Sequence, residues 1–260
     1  MLKKSFLVVA LALLATHCGS GGIFGPALSI QDEWRLGQQM EAQVAQEVRL
    51  VNDPQALAYV RMVGERIHAV TPQANLPYTF HIVDDTSVNA FSLPGGHVYI
   101  NTGLIAQADH ANMLAAVLAH ESAHVTQRHI AKKISQVQGI EVIGAILLGQ
   151  NPGVLSQIAA QIIAGGAMAR FSRADEKEAD DVGLEYLAAA GYDPHGMLDM
   201  FEKLLSLERS SPGTVARFFQ DHPGTQDRVN DISGRISKMG RTSGTVDDPE
   251  YQVIRRRLGL

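Results

Sequence analysis

"LAAVLAHESAHVTQRHI", residues 114–130, sets His120, Glu121 and His124 into an Ala/Leu/Val helix that otherwise reads as buried core. The two histidines are four residues apart, so their rings lie one above the other on a single helix face. A core does not hold three titratable groups on its inner side unless something binds them. H-E-x-x-H on a helix is the pattern in which both histidines ligate zinc and the glutamate serves as the general base of a peptidase. Ala116, Ala119 and Ala123 flank the motif and let other elements approach it closely. Catalytic zinc takes three protein ligands and keeps its fourth position for water, so the motif needs one more ligand.

His129 lies close by, but the longer metzincin pattern requires Gly at 127 and His at 130, where this chain has Gln127 and Ile130. His129 is therefore expected on the exposed side of the helix. "SRADEKEAD", residues 172–180, offers a better ligand. Glu176 and Asp180 are four apart and share one inward stripe with Gly183 and Leu187, whereas Glu178 points away from it. A charged helix start favoured by the dipole is the plainer reading. It does not explain two carboxylates on the face that otherwise buries Gly and Leu. Glu176 as third ligand, with Asp180 as the acceptor that orients a ligand histidine, does explain it.

Working outward, Ser29 caps a helix expected to run to about Val51, and Asp53-Pro54 opens a second. Three short β-rich runs follow, read as strands Tyr78–Val83, Ala90–Leu93 and His97–Asn101. Asp109 is expected to cap the quoted helix, which then runs to about Val137. Residues 139–170 are apolar and Gly/Ala-rich, but Gln150, Asn151, Pro152 and Gln157 interrupt them below spanning length. A pair of short buried helices and a mobile lid over a cleft both fit this stretch. Ser172 and Asp175 form a capping box for the helix that Gly191 ends. Asp193-Pro194 and Ser211-Pro212 restart helices, and Thr225 caps a last one ending near Gly240. The fold class is α+β and mostly α, with a small sheet of about three strands beside the H-E-x-x-H helix.

The chain has 260 residues, 45% hydrophobic and 19% charged, with net charge −5. That balance gives nucleic acid no electrostatic footprint, so no nucleic-acid partner is expected. Lys3 and Lys4 precede ten apolar residues, Phe6 to Ala15, and then "THCGSGG". A basic start and a short apolar run read as an export signal. Cys18 is the only cysteine, so it forms no internal disulfide. "LATHC" resembles a lipobox, although Leu14 stands one position too far upstream and His17 occupies a site usually small. Lipidation at Cys18 leads, ordinary secretory cleavage stays open, and a retained anchor is disfavoured by length. The layout is thus 1–18 signal peptide of lipoprotein type, 19–29 flexible tether, 30–240 a single domain, and 241–260 a loosely attached tail.

"HESAH", then "FSRADEKEAD", preceded by "NAFSLPGGHVYINTG" and followed by "DHPGTQDR", resembles the HtpX-related gluzincin zinc metallopeptidases (metallopeptidase family 48), with their BepA/LoiP/YcaL-like periplasmic, outer-membrane-linked branch. The resemblance spans about residues 30–240 and implies a zincin domain of the gluzincin type. It implies one Zn2+ per chain on His120, His124 and Glu176, with Glu121 as catalytic base. It also implies that His222 can reach the zinc and hold the enzyme off, and that Arg228 lines the catalytic site. For His222 two other readings stay open, a donor to the oxyanion and simple packing in its turn. The implied activity is endopeptidase cleavage of misfolded or unassembled envelope proteins as quality control. The implied partners are those substrates, a membrane reached through the Cys18 lipid anchor, and outer-membrane assembly machinery. An exposed strand edge in residues 89–100 could hold an extended peptide by backbone pairing. A zinc-stabilised, chaperone-like binding module with latent proteolysis is the second reading.

Overall fold

The computed structural model describes residues 28–166, 168–224, 226–240 and 243–260. Residues 1–27 and Thr225 lie outside these, and with them the signal, Cys18 and the Thr225 cap expected from sequence. The Ser29 side chain accepts the Asp32 N–H at the head of α1, Ile30–Glu47, which buries Leu36, Met40 and Val44. The helix stops short of Val51 because the following residues join the sheet: Leu50 bridges Val83, and Val51 N–H donates to the Ile82 carbonyl. Asp53 accepts from Gln55 and Ala56 N–H and Pro54 takes the first position of α2, Pro54–His68.

The sheet is formed by β1, Thr79–Val83, β2, Ala90–Leu93, and β3, His97–Asn101. Its order is β1-β3-β2, with β1 parallel and β2 antiparallel to β3. The turn between β2 and β3 uses Gly95 and Gly96 at positive φ, 81° and 95°, where a side chain would be strained. After α3, Thr102–Gln107, comes the central helix α4, Ala111–Thr126, buried at every residue from Ala111 to Val125. A helix apolar all round belongs inside a core. Asp109 does not cap it. Ala111 N–H instead donates to Asp247 and Asn112 N–H to the Val246 carbonyl, while Asp109 pairs with Lys203 at 2.5 Å.

The expected continuous helix to Val137 breaks at Arg128, which adopts φ 62°. For a non-glycine residue that left-handed conformation costs on the order of 1 kcal/mol. The Arg128 guanidinium reaches across to Glu33 and the Leu28 carbonyl, tying the break to α1. The chain then continues as α5, His129–Gln138, α6, Ile140–Leu147, and α7, Pro152–Ile163. Ile143, Ile146, Leu155, Ile158 and Ile162 pack with Leu36, Met40 and Val44 of α1. This is the buried-helix reading of residues 139–170. No single helix among the described residues is long and apolar enough to cross a membrane; α6 and α7 meet at 108°.

The Ser172–Asp175 capping box opens α8, Arg173–Ala189, and Gly191 follows it at φ 80°. Next come α9, His195–Ser210, α10, Pro212–Asp221, and α11, Gln226–Ile236. The expectation of a loose tail is overturned. Thr245 bridges Tyr192, and α12, Pro249–Arg257, buries Tyr251 and Ile254. Tyr251 hydroxyl donates to the Ala108 carbonyl at 2.8 Å, and Tyr59 hydroxyl donates to Asp248 at 2.6 Å. Sequence polarity hid two apolar anchors spaced for one helix face.

The sheet separates two cores. Phe80, Ile82, Val98 and Ile100 face α2, α4, α8 and α9, whereas Val83, Phe91, Leu93 and Tyr99 face α1 and the α5–α7 helices. The alternation of strand side chains sets this division.

Candidate metal centre

His120, Glu121 and His124 leave α4 toward α8, each no more than 4% exposed. Gly183 of α8 permits that approach, since a Cβ there would lie 3.1 Å from the His120 Cα. Asp180 and Glu176, about one and two turns earlier on α8, are thereby directed at the histidines. His222 enters from the residue that ends α10, at φ −117° and ψ 83°. One donor atom from each of His120, His124, Glu176 and His222 lies within 4.8 Å of all the others, and all four residues are buried.

The separations carry more information than the cluster alone. His120 Nε2 is 3.1 Å from His124 Nε2 and 3.3 Å from His222 Nδ1. Glu176 Oε1 is 3.1 Å from His222 Nδ1 and 3.4 Å from His124 Nε2. Four donors bound tetrahedrally at about 2.0–2.1 Å stand about 3.3–3.4 Å apart. Four of the six edges of such a tetrahedron are therefore approached by these separations.

Each donor is held from behind. His120 Nδ1 is 3.1 Å from Asp180 Oδ1. Arg228 donates to both oxygens of Asp180, from Nε and NH2, each at 2.7 Å. Its NH1 lies 2.5 Å from Glu176 Oε2, and the guanidinium stacks 4.4 Å over the Phe201 ring. Such a fork fixes both carboxylates at once. Glu121 accepts from Ser92 Oγ on β2 at 3.0 Å and faces His222 Nε2 at 3.4 Å. Ser92 had no sequence signal, because its contact depends on how the sheet packs on α4.

His129 departs from its expected exposed position. It is 3% exposed, and its Nδ1 lies 2.9 Å from His124 Nδ1. The left-handed Arg128 turns it inward. Its Nε2 is 3.2 Å from Glu178 Oε2, so Glu178, which points away from the Glu176 stripe, meets His129 instead. His129 contributes no atom to the four-donor set.

The low values at His124 and Glu176 match donor roles, whereas His120 is raised and must release its proton for a metal to bind. Burial holds His124 well below the ordinary imidazole range. Burial opposes charge on Glu176, but His222, Arg228, His120 and His124 hold its carboxyl well below normal. Burial likewise opposes charge on His120, and hydrogen bonds to Asp180 and Glu176 raise it to about 9. Beside His120 and Glu121 lies a narrow apolar crevice lined by Val117, Met197, Met200, Leu204 and Phe218.

Residues 54–236 match the model of peptidase family M48. The chain is 30% identical over 245 residues to the beta-barrel assembly-enhancing protease of Escherichia coli (strain K12), covering 91% of this chain and 50% of that protein. It therefore spans about half the length of that relative. Mitochondrial metalloendopeptidase OMA1 of Schizosaccharomyces pombe is 31% identical over 208 residues, 79% of this chain and 61% of its own. Metalloprotease LoiP of Escherichia coli (strain K12) is 30% identical over 167 residues, 63% of this chain and 65% of its own.

Proposed function

The chain belongs to peptidase family M48, and from that premise we propose that it is a zinc-dependent endopeptidase of the bacterial cell envelope that cleaves misfolded or unassembled proteins. The observation that carries this reading is the close set of buried donors from His120, His124, Glu176 and His222, with the Glu121 carboxylate against it. Imidazole nitrogens with one carboxylate oxygen suit zinc. Bound there, zinc supplies a Lewis acid and makes water acidic enough to lose a proton near neutral pH.

Glu121 is the base: it takes a proton from the attacking water and returns it to the leaving amine. Ser92 holds one carboxylate oxygen by its hydroxyl, which keeps Glu121 aimed at the donor set. Asp180 orients His120, and Arg228 holds Asp180 and Glu176 while its NH1 also donates to the Pro223 carbonyl beside His222. The crevice beside Glu121 has apolar walls and must open before a large aliphatic or aromatic side chain can enter next to the scissile bond. Proteins that expose such side chains are unfolded ones, which supports a quality-control role. β2 is the edge strand beside the site, but all four of its residues are buried. Pairing with a peptide therefore requires the covering residues to move.

One relative is a beta-barrel assembly-enhancing protease and another a mitochondrial enzyme, so the envelope assignment rests on the export signal and Cys18. Lipidated Cys18 would place the protein on the outer membrane, near the assembly machinery. A second reading, a zinc-stabilised binding module with latent proteolysis, is favoured by His222 filling the fourth donor position. Zinc content and casein cleavage by the purified full chain decide. About one zinc with cleavage supports the enzyme; zinc with casein binding but no cleavage supports the module; no zinc overturns both. Release of the protein from membranes by Cys18→Ser tests the anchor.

A further inference from the structure

The face of the sheet turned away from α4 carries a second convergence. Thr79 and His81 of β1 and His97 of β3 point toward α1, where Glu41 meets them. Glu41 Oε1 is 2.9 Å from His81 Nε2 and 3.3 Å from His97 Nδ1. Thr79 Oγ1 is 2.9 Å from His97 Nδ1, 3.0 Å from His81 Nε2 and 3.4 Å from Glu41 Oε1. These separations run from hydrogen-bonding distance, 2.9 Å, up to the roughly 3.3–3.4 Å edge of a tetrahedral metal site, so a bound ion would draw the closer donors slightly apart. We propose that Glu41, His81 and His97 form a second site for a divalent transition metal, with the Thr79 hydroxyl at its fourth corner.

The groups are prepositioned by the packing of α1 on the sheet. The His81 ring stacks on Tyr99 at 4.7 Å and 18°. α1 is held against the β2–β3 turn by Gly37, where a Cβ would fall 1.9 Å from the Pro94 carbonyl oxygen. His97 Nε2 is buried without a hydrogen-bond partner, so its ring engages polar atoms only through Nδ1 in this cluster. Burial depresses both histidines, which keeps them neutral as ligands must be. The Glu41 and His81 side chains are 31% and 24% exposed, which leaves an entry path.

Two imidazoles and one carboxylate favour zinc, cobalt or nickel over calcium and magnesium, which need more oxygens. Such an ion would cross-link α1 to both β1 and β3. It would hold the N-terminal helix to the hairpin whose Ser92 touches Glu121.

The competing account is a hydrogen-bonded cluster in which one carboxylate oxygen accepts from both rings and the threonine. Metal content separates them. Full-length protein equilibrated with excess zinc and desalted should hold about two ions, as should Lys203→Ala, a control remote from both centres. His81→Ala and Glu41→Gln should hold about one, and His120→Ala should hold about one through the second site. Cobalt(II) gives the independent readout: a second set of visible bands should appear in the parent after the first equivalent and be missing in His81→Ala. Zinc should raise the melting temperature of His120→Ala but not of the His81→Ala/His120→Ala double variant. A parent chain that takes up one ion, all of it lost with His120→Ala, would overturn the second site and leave the first intact. An uptake unchanged by His120→Ala but abolished by His81→Ala would instead sink the first.

Discussion

His124 and His129 face each other through their Nδ1 atoms, 2.9 Å apart and out of contact with bulk water. Two ring nitrogens at that distance need one proton between them. His124 presents Nε2 to the other donors, so its Nδ1 carries the hydrogen and donates to His129. His129 must then hold its own proton on Nε2, where Glu178 accepts it at 3.2 Å. The line from Glu178 through His129 fixes the His124 tautomer and ring angle. His129→Ala should weaken zinc binding by roughly 10- to 100-fold, with a smaller effect for Glu178→Ala. Zinc competition with a chelator reads this directly, and equal affinities in parent and His129→Ala would remove the role.

Glu121→Gln keeps the shape and the Ser92 contact while removing the base. Casein cleavage should fall by on the order of 10² to 10⁴ and zinc content should not change. A variant with parental cleavage would exclude Glu121 as the base.

The α8 carboxylates should separate by role. Glu176→Ala should lose the ion outright, and Asp180→Ala should weaken it by roughly 10- to 100-fold. Arg228 holds both, at 8% side-chain exposure, so Arg228→Ala leaves two buried carboxylates without their shared cation. Breaking a buried pair in this way costs about 3–5 kcal/mol, visible as a lower urea midpoint. If Glu178→Ala rather than Glu176→Ala stripped the zinc, the ligand assignment would be reversed.

Tyr251 tests the end of the chain. It is fully buried and bonded to the Ala108 carbonyl. Tyr251→Ala should cost about 3–5 kcal/mol, as large-to-small core changes do, and Tyr251→Phe about 1 kcal/mol for one hydrogen bond. A denaturation midpoint within error of the parent for Tyr251→Ala would restore the loose-tail reading.

What the sequence displayed was local. The i, i+4 spacing of His120 with His124 and of Glu176 with Asp180 is a property of single helices, as are the Ser29, Asp53 and Ser172 caps. Strands β2 and β3 were legible because β-rich runs alternate with turn glycines. What stayed hidden depends on where separate segments meet. Nothing near Arg128 announces a left-handed residue, and that one dihedral decides whether His129 faces solvent or His124. Asp109 is a good cap by type, but Asp247, 136 residues from Ala111, supplies the acceptor instead. Ser92 on Glu121, and Glu41 beside His81 and His97, are likewise products of helix-on-sheet packing.

His222 is the donor on which the open and closed readings of the centre turn. Pro223 disfavours helical geometry at His222, which ends α10 on an extended residue. There it is 1% exposed, stacked on Phe218, with Nδ1 among the donors and Nε2 toward Glu121. A fourth protein donor occupies the place that water needs. On the switch reading, rotation of His222 out of the cluster leaves three donors and exposes the Glu121 carboxylate, and the competent form is the one without it. His222→Ala should keep zinc and raise casein cleavage per bound zinc. If the competent form is about a tenth of the population, the rise is on the order of tenfold. A fall in cleavage at unchanged zinc would show that His222 instead donates to the transition state. An unchanged rate would reduce it to a packing residue between Phe171 and Phe218.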